Sequence, residues 1–239
     1  MRFSRFFTNI PLNIGNHELP EALAYYISRV LRKRKGDTIR LFDGSGQEFL
    51  GILLEVGKQQ VTVQLTKSFA GQTESPLYVY LGQGLSRSKR MDWAIQKATE
   101  LGVNEITPIF SERCEIYLKG EHNSKRLLHW RQIAISACEQ CGRSTVPVIL
   151  PPLLLIDWLK QTEADLKLTL HPVAEPMTSY AKPASIAFLI GPAGGLTDTE
   201  IKTAQGAGFH TASLGPRILR TETTPVVALA VAQQLWGDF

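Results

Sequence analysis

The sequence predicts an α/β protein in two parts, a small N-terminal β-barrel over residues 1–72 and a larger domain over 73–239 built on a parallel sheet. Three observations predict it. Strand-like runs with a single short helix fill the first third. Strand and helix patterns alternate from Leu77 onward, as they do where helices cross over a parallel sheet. Between them lies Ala70–Pro76, small and polar and ending in proline, which reads as a boundary.

In the first part, Glu21–Leu31 carries Leu23, Ile27 and Val30 at helical spacing. The cations Arg32–Lys35 follow it, where they favour the negative end of the helix dipole. Thr38–Phe42, Gln47–Leu54 and Val61–Thr66 are rich in β-branched and large apolar residues and read as strands. Asp43-Gly44-Ser45-Gly46 supplies positive-φ positions for the first hairpin turn, and Gly57-Lys58 marks the second. In the second part, the strands are Leu77–Leu81, Asn104–Phe110, Leu166–Leu170, Ile186–Ile190 and Phe209–Leu214. Ser88 caps a helix whose face is Met91, Ala94, Ile95, Ala98 and Leu101, closed by Gly102. Ser124 opens another, with Leu127, Trp130, Ala134, Ala137 and Cys141 on one stripe and Gly142 at its end. Leu153–Lys160 is a shorter helix, and Thr197-x-x-Glu200 is a capping box for a helix to about Gly206. Thr224 caps and Pro225 starts the last helix, Val226–Trp236, which is apolar nearly all round and calls for burial on several sides.

Composition narrows the class. With 44% hydrophobic and 20% charged residues, the chain is neither disordered throughout, fibrous nor a disulfide-dense scaffold. The apolar run Val146–Ile156 contains three prolines and falls short of the ~20 residues of a membrane span, so no membrane partner is expected. The scattered Arg2, Arg5, Phe3, Phe6 and Phe7 do not form a signal peptide, and the three cysteines then read as reduced thiols of a cytoplasmic protein. Residues 1–73 hold all the net charge of +4, since Lys/Arg and Asp/Glu balance in the remainder. That asymmetry favours a polyanionic partner for the first part. Its cations include Arg2, Arg5, Arg29, Arg32, Lys33 and Arg34.

The chemistry points to the last three strands. Each ends in a loop that exposes backbone: Leu170-His171-Pro172, Ile190-Gly191-Pro192-Ala193-Gly194-Gly195, and Leu214-Gly215-Pro216-Arg217-Ile218. Ligands of open α/β sheets bind at such strand ends, and bare peptide groups suit the donor–acceptor edge of an adenine. The glycines come too late for the dinucleotide fingerprint, and no Gly-Lys-Ser/Thr grips a phosphate. An adenosine without phosphates, as in S-adenosylmethionine, fits. In Arg217–Thr224, Ile218 and Leu219 can wall the pocket while Arg220 faces a phosphate or a developing anion. Cys138-x-x-Cys141 has no second pair and no helix N-terminus, so both cysteines read as packing, and no histidine pattern marks a metal site.

These residues resemble the RsmE family of SPOUT methyltransferases. The match runs through Ile190-Gly191-Pro192-x-Gly194-Gly195-Leu196 and Leu214-Gly215-Pro216-Arg217-Ile218-Leu219-Arg220-Thr221-Glu222-Thr223. Gln96-Lys97-x-x-Glu100-Leu101-Gly102-Val103, Glu139-Gln140-x-Gly142-Arg143, Arg29-Val30-Leu31-Arg32 and Phe42-Asp43-Gly44 agree as well. The resemblance covers essentially the whole chain. It implies a PUA-like RNA-binding barrel, a C-terminal domain with a deep trefoil knot, and a homodimer. It also implies methylation of N3 of one uridine of 16S ribosomal RNA (uridine 1498 in the standard rRNA numbering) on the 30S subunit. S-adenosylmethionine would be the donor, S-adenosylhomocysteine the product, and no metal would take part. The implied cofactor contacts are Leu170, His171, Ile190, Gly191, Pro192, Gly194, Gly195, Leu214, Gly215, Ile218, Leu219 and Thr223. Arg220 would stabilise the uracil anion, with Glu222 orienting Arg220 or assisting proton removal. Two departures stand out: Ala193, where family members usually have glutamate, and Tyr26, where they usually have histidine. Tyr26 can still stack on a base. The rival readings are a catalytically silent RNA-binding or assembly factor and a related enzyme acting on transfer RNA; a nicotinamide dehydrogenase is disfavoured by the missing fingerprint.

Overall fold

The computed structural model describes residues 4–114, 116 and 121–239. It forms two compact units, one of residues up to Glu74 with Cys138–Val146, the other of Ser75–Ala137 and Pro147–Phe239.

The first unit contains β1 (Arg5–Phe7), β2 (Gly15–Glu18), α1 (Glu21–Tyr25), β3 (Thr38–Phe42), β4 (Gln47–Val56) and β5 (Val61–Ala70). They make a five-stranded sheet in the order β1-β3-β4-β5-β2, antiparallel except for the parallel β1–β3 pair. Period-two alternation turns Ile39 and Leu41, then Val61, Val63 and Leu65, into a core shared with Phe6, Ala24 and Ile27. The β3–β4 turn uses positive φ at Gly44 and Gly46 (87° and 84°), as its sequence requires. The first helix departs from expectation. After Tyr25 it widens into a π-helical turn, Tyr26–Val30, so that Ile27 stays buried while Val30 turns outward, 56% exposed.

The segment Cys138–Val146 completes this unit through polar groups. Arg5, its side chain 10% exposed, pairs with Glu48 and donates to the Cys138 carbonyl (2.6 Å) and the Arg143 carbonyl (3.1 Å). The Phe7 N–H donates to Glu139 (2.9 Å), and Arg143 donates twice to Glu74 (3.1 and 2.8 Å).

The second unit contains β6 (Tyr78–Gly84), α2 (Ser88–Glu100), β7 (Glu105–Phe110), most of α3 (Glu121–Cys141), β8 (Val148–Ile149), β9 (Leu153–Leu154) and α4 (Leu155–Gln161). After these come β10 (Leu166–Pro176), β11 (Ser185–Ile190), α5 (Asp198–Gly206), β12 (His210–Ser213) and α6 (Thr223–Trp236). The strands pair in parallel in the order β12-β10-β11-β6-β7-β8, with β9 also on β7. Met91, Ala94, Ile95 and Ala98 of α2 are buried, as their spacing predicts.

Several boundaries differ from the sequence reading: β4, β5 and β6 run on to Val56, Ala70 and Gly84, α2 already includes Ser88 with Arg87 at its N-cap, and four further differences touch the second unit. Helix α3 is already formed at Glu121, ahead of Ser124. Leu153 and Leu154 pair with the end of β7, which delays α4 to Leu155. β10 does not stop at Leu170: Leu170 and Glu175 both oppose Ala212, so residues 171–174 bulge out of the ladder before the strand resumes. Finally, α6 begins at Thr223, and Thr224 is no N-cap; its hydroxyl donates to the Arg220 carbonyl from within the first turn. Thr221, ahead of α6, packs against both Gln83 of β6 and the Gly191 carbonyl after β11. That passage and the strand order are consistent with the trefoil knot implied by the family resemblance.

Candidate active site

Parallel pairing brings the carboxyl ends of β10, β11 and β12 to one edge of the sheet. A cavity of about 590 Å³ opens there. Leu170 and His171 line it from the β10 bulge, Ile190, Gly191 and Gly195 from the loop after β11, and Leu214, Gly215, Ile218 and Leu219 from the segment after β12. A second cavity of about 570 Å³ adjoins it, and Gly195, Ile218 and Leu219 belong to both walls. Pro192 and Gly194 face this second space, together with Ala193, Arg90, Arg220, Thr221 and Glu222. Thr223 lines neither; as the first residue of α6 it donates its N–H to the Arg220 carbonyl (2.9 Å).

The first cavity has mainly aliphatic and backbone walls with a few polar groups among them. Leu189, Leu196 and Ile201 add to its apolar walls, and Thr169, Thr211 and Asp198 add polar atoms. Gly195 and Gly215 have positive φ (71° and 107°) with open space where a side chain would stand, so both loops present bare peptide groups. The loop after β11 is held tightly. Gly195 N–H donates to the Pro192 carbonyl (2.9 Å), and Arg113 donates to the Gly194 carbonyl (3.1 Å). At the loop's far end the capping box forms as read: Thr197 accepts from the Glu200 N–H (3.3 Å), and Glu200 accepts from the Thr197 N–H (2.8 Å). A volume near 590 Å³ is typical of small-molecule sites, ~300–1,000 Å³. The wall is mainly backbone and aliphatic, with Arg217 at its edge, which fits an adenosine carried without phosphates.

The second cavity is polar. Arg220 is exposed, and its backbone is fixed because its carbonyl accepts from Thr223 N–H, Thr224 N–H and the Thr224 hydroxyl, each at 2.9 Å. Glu222 does not pair with Arg220, contrary to the expectation that it orients that residue. Its partner is Arg90 of α2, Nε to Oε1 at 3.8 Å, and its other oxygen is buried without a hydrogen bond. Arg90 and the Gln83–Thr221 contact escape sequence reading because they join positions separated by more than a hundred residues. Asp198 and Ile201 carried a signal, since they follow the glycine loop at the start of a capped helix.

Elsewhere, burial pushes the Cys138 thiol up to about 12, and it donates to the Thr145 carbonyl, so it packs and does not react. Among the described residues no cluster of His, Cys, Asp and Glu is arranged to hold a metal, and no helix is long and apolar enough to cross a membrane. Of the basic candidates, Arg2 lies outside the described residues. Arg5 is turned inward, its guanidinium consumed by Glu48 and main-chain carbonyls and stacked on Phe42 (4.7 Å), so it is structural and presents no charge to a ligand. Tyr26, Arg29, Arg32 and Arg34 are exposed and Lys33 is half-buried, on the π-helical turn and the loop beyond it. The Tyr26 ring rests edge-on against Phe6 at 6.1 Å.

Fold and site together define an RNA methyltransferase: residues 73–233 match the RNA methyltransferase domain family, and residues 19–66 match the RNA methyltransferase PUA domain family. The ribosomal RNA small subunit methyltransferase E of Buchnera aphidicola subsp. Schizaphis graminum is 38% identical over 224 residues, spanning 92% of this chain and 91% of that one. Accordingly, the chain belongs to the ribosomal RNA small subunit methyltransferase E family. Two solved structures superpose over 100% of both chains at 38% identity: a methyltransferase from Legionella pneumophila in complex with SAM (TM-score 0.96) and the ribosomal RNA small subunit methyltransferase E of Neisseria gonorrhoeae bound to S-adenosyl methionine (TM-score 0.94).

Proposed function

We propose that this chain transfers the methyl group of S-adenosylmethionine to N3 of a uridine of 16S ribosomal RNA in the small subunit, at the position the resemblance implies, uridine 1498. The observation that carries the proposal is the pair of adjoining cavities. One is walled by backbone and aliphatic groups, the other holds Arg220 and Glu222, and Gly195, Ile218 and Leu219 are common to both. Relatives that superpose along the full chain were solved with this cofactor bound.

When bound, the sulfonium supplies its own leaving group, so the protein must align, desolvate and manage one proton. The backbone loops at Leu170, Ile190–Gly195 and Leu214–Leu219 hold the adenosine, and the base enters the polar cavity. Uridine N3 loses its proton as the N–CH3 bond forms and the S–CH3 bond breaks, leaving N3-methyluridine and S-adenosylhomocysteine. Arg220 stabilises the negative charge that spreads onto the uracil oxygens. Glu222, with one oxygen on Arg90 and the other unpaired, receives the proton directly or through water. The exposed Tyr26, Arg29, Arg32 and Arg34, with Lys33, offer a stacking ring and phosphate contacts for the RNA. Val226, Val227, Ala230 and Val231 of α6 remain half-buried and Leu235 exposed, an apolar face suited to a second copy of the chain. The reaction belongs in the cytoplasm, where small subunits are assembled.

The test is methyl transfer to 30S subunits from a strain lacking the modification, read by primer extension, since N3 methylation blocks pairing. Arg220→Ala lowers turnover by about 10²–10³-fold while calorimetry shows S-adenosylmethionine still bound. Unchanged methylation by that variant refutes the assignment.

A further inference from the structure

Thr221 lies between Arg220 and Glu222 and is 8% exposed. Its hydroxyl donates to the Gly191 carbonyl (2.7 Å) and accepts from Gln83 Nε2 (3.1 Å). Gln83, one residue from the end of β6, is 1% exposed. The direction of this chain is dictated by its last member. A carbonyl only accepts, so the single hydroxyl proton is committed to Gly191, and the Thr221 oxygen must take its own hydrogen bond from the amide nitrogen. That choice turns the Gln83 amide oxygen away, and it is left buried with no partner. Buried acceptors are rarely left unmet, because the desolvation is uncompensated. Here the orientation is held against that cost by what the nitrogen reaches.

We infer that Gln83 and Thr221 are positioning residues that lock the Arg220–Glu222 segment onto the cofactor-lining loop. They thereby set the distance between the Arg220 guanidinium and the donor methyl group. The inference rests on the methyl-transfer reading above. Three stretches remote in sequence meet at this one hydroxyl: the end of β6, the loop after β11 and the segment before α6. Gly191 lines the first cavity and Arg220 and Glu222 line the second, so the bond Thr221–Gly191 spans the two halves of the reaction. Gly84 adds a second constraint, because a Cβ there would collide with the Pro192 nitrogen and the Gly191 carbonyl carbon (2.6 Å). The loop is therefore seated directly on the strand that carries Gln83.

The experiment measures transfer from labelled S-adenosylmethionine to 30S subunits lacking the modification, with full-length variants. Thr221→Val removes the hydroxyl and keeps the shape. Its kcat falls by about 100-fold, as a ~1 Å misplacement of a reacting group can cause, while KM for the subunit stays within about twofold. Thr221→Ser restores most of kcat. Gln83→Leu lowers kcat in the same way, and the double variant is no slower than Thr221→Val alone, because both substitutions cut one chain of bonds. Normal kcat in Thr221→Val or Gln83→Leu overturns the inference, as does a Thr221→Ser enzyme as slow as the valine variant. If Thr221→Val loses its cooperative thermal transition, Gln83→Leu and Thr221→Ser decide by the same criteria. Arg220→Ala is measured alongside. Full activity there removes the underlying catalytic reading, whereas an inactive Arg220→Ala beside a normal Thr221→Val removes the positioning role only.

Discussion

Arg32 has a φ of +52°, the one non-glycine residue among those described with a positive value. It ends the π-helical turn, and the Lys33 N–H beyond it closes back onto the Ile27 carbonyl (3.1 Å). Glycine is the ordinary occupant of such a left-handed cap, and an L side chain there costs ~1–2 kcal/mol. The cost is intelligible if the cation is wanted where it stands. Arg32→Gly therefore raises stability, by about 1 kcal/mol in chemical denaturation, and weakens binding to 30S RNA, with the salt slope shallower by about one. Unchanged RNA affinity and salt slope in Arg32→Gly would deny the residue its RNA role. Glu105 of β7 carries strain of another kind, since burial holds its carboxyl above the ordinary carboxylate range. With its folded pKa above its unfolded pKa, the native state binds the extra proton in that window, so stability falls as pH rises through it. Glu105→Gln removes the half-buried charge. Its melting temperature exceeds that of the parent at neutral pH, and the difference closes as pH drops below the unfolded carboxylate value.

At the scale of elements, the site depends on how closely strand ends and loops approach. Gly84 at the end of β6 has no room for a side chain beneath Gly191 and Pro192. Gly84→Ala must push the loop outward, at ~1–3 kcal/mol of overpacking, and it weakens S-adenosylmethionine binding in calorimetry. A variant that binds the cofactor as tightly as the parent would show the loop free to shift. What the sequence reveals at this scale follows the range of the cause. The Thr197–Glu200 box, the glycine turn at Asp43–Gly46 and the buried stripe of α2 are local chemistry, and each stands where its residues put it. The widening after Tyr25 and the bulge at 171–174 are decided by what packs against them, so periodicity extends the helix too regularly and stops β10 too early. The same limit governs the site. The backbone loops announce themselves through glycine and proline, whereas the pairing of Glu222 with Arg90, and the chain from Gln83 to Gly191, exist only in the fold.

On the scale of the whole molecule, the first unit is not one continuous stretch of sequence. Residues Cys138–Val146 belong to it, although Ser75–Ala137 intervene in the chain. The reason lies in Arg5, which reads as a surface cation in the sequence and is a buried tie in the structure. Its guanidinium needs the carbonyls of Cys138 and Arg143 as well as Glu48, and the Phe7 N–H of β1 needs Glu139. Arg143 in turn needs Glu74. A fragment ending at residue 73 keeps the Arg5–Glu48 pair but strips β1 of the Cys138 and Arg143 carbonyls and of Glu139, ties that water can replace without holding the strand to its small core. A core of this size has little stability in reserve. The fragment is expected to show no cooperative thermal transition and poorly dispersed amide resonances, while in the full chain Arg5→Ala costs about 3–5 kcal/mol, as breaking a buried pair does. A fragment that melts cooperatively with a dispersed spectrum would show that the sheet stands without Cys138–Val146 and that these ties are dispensable to it.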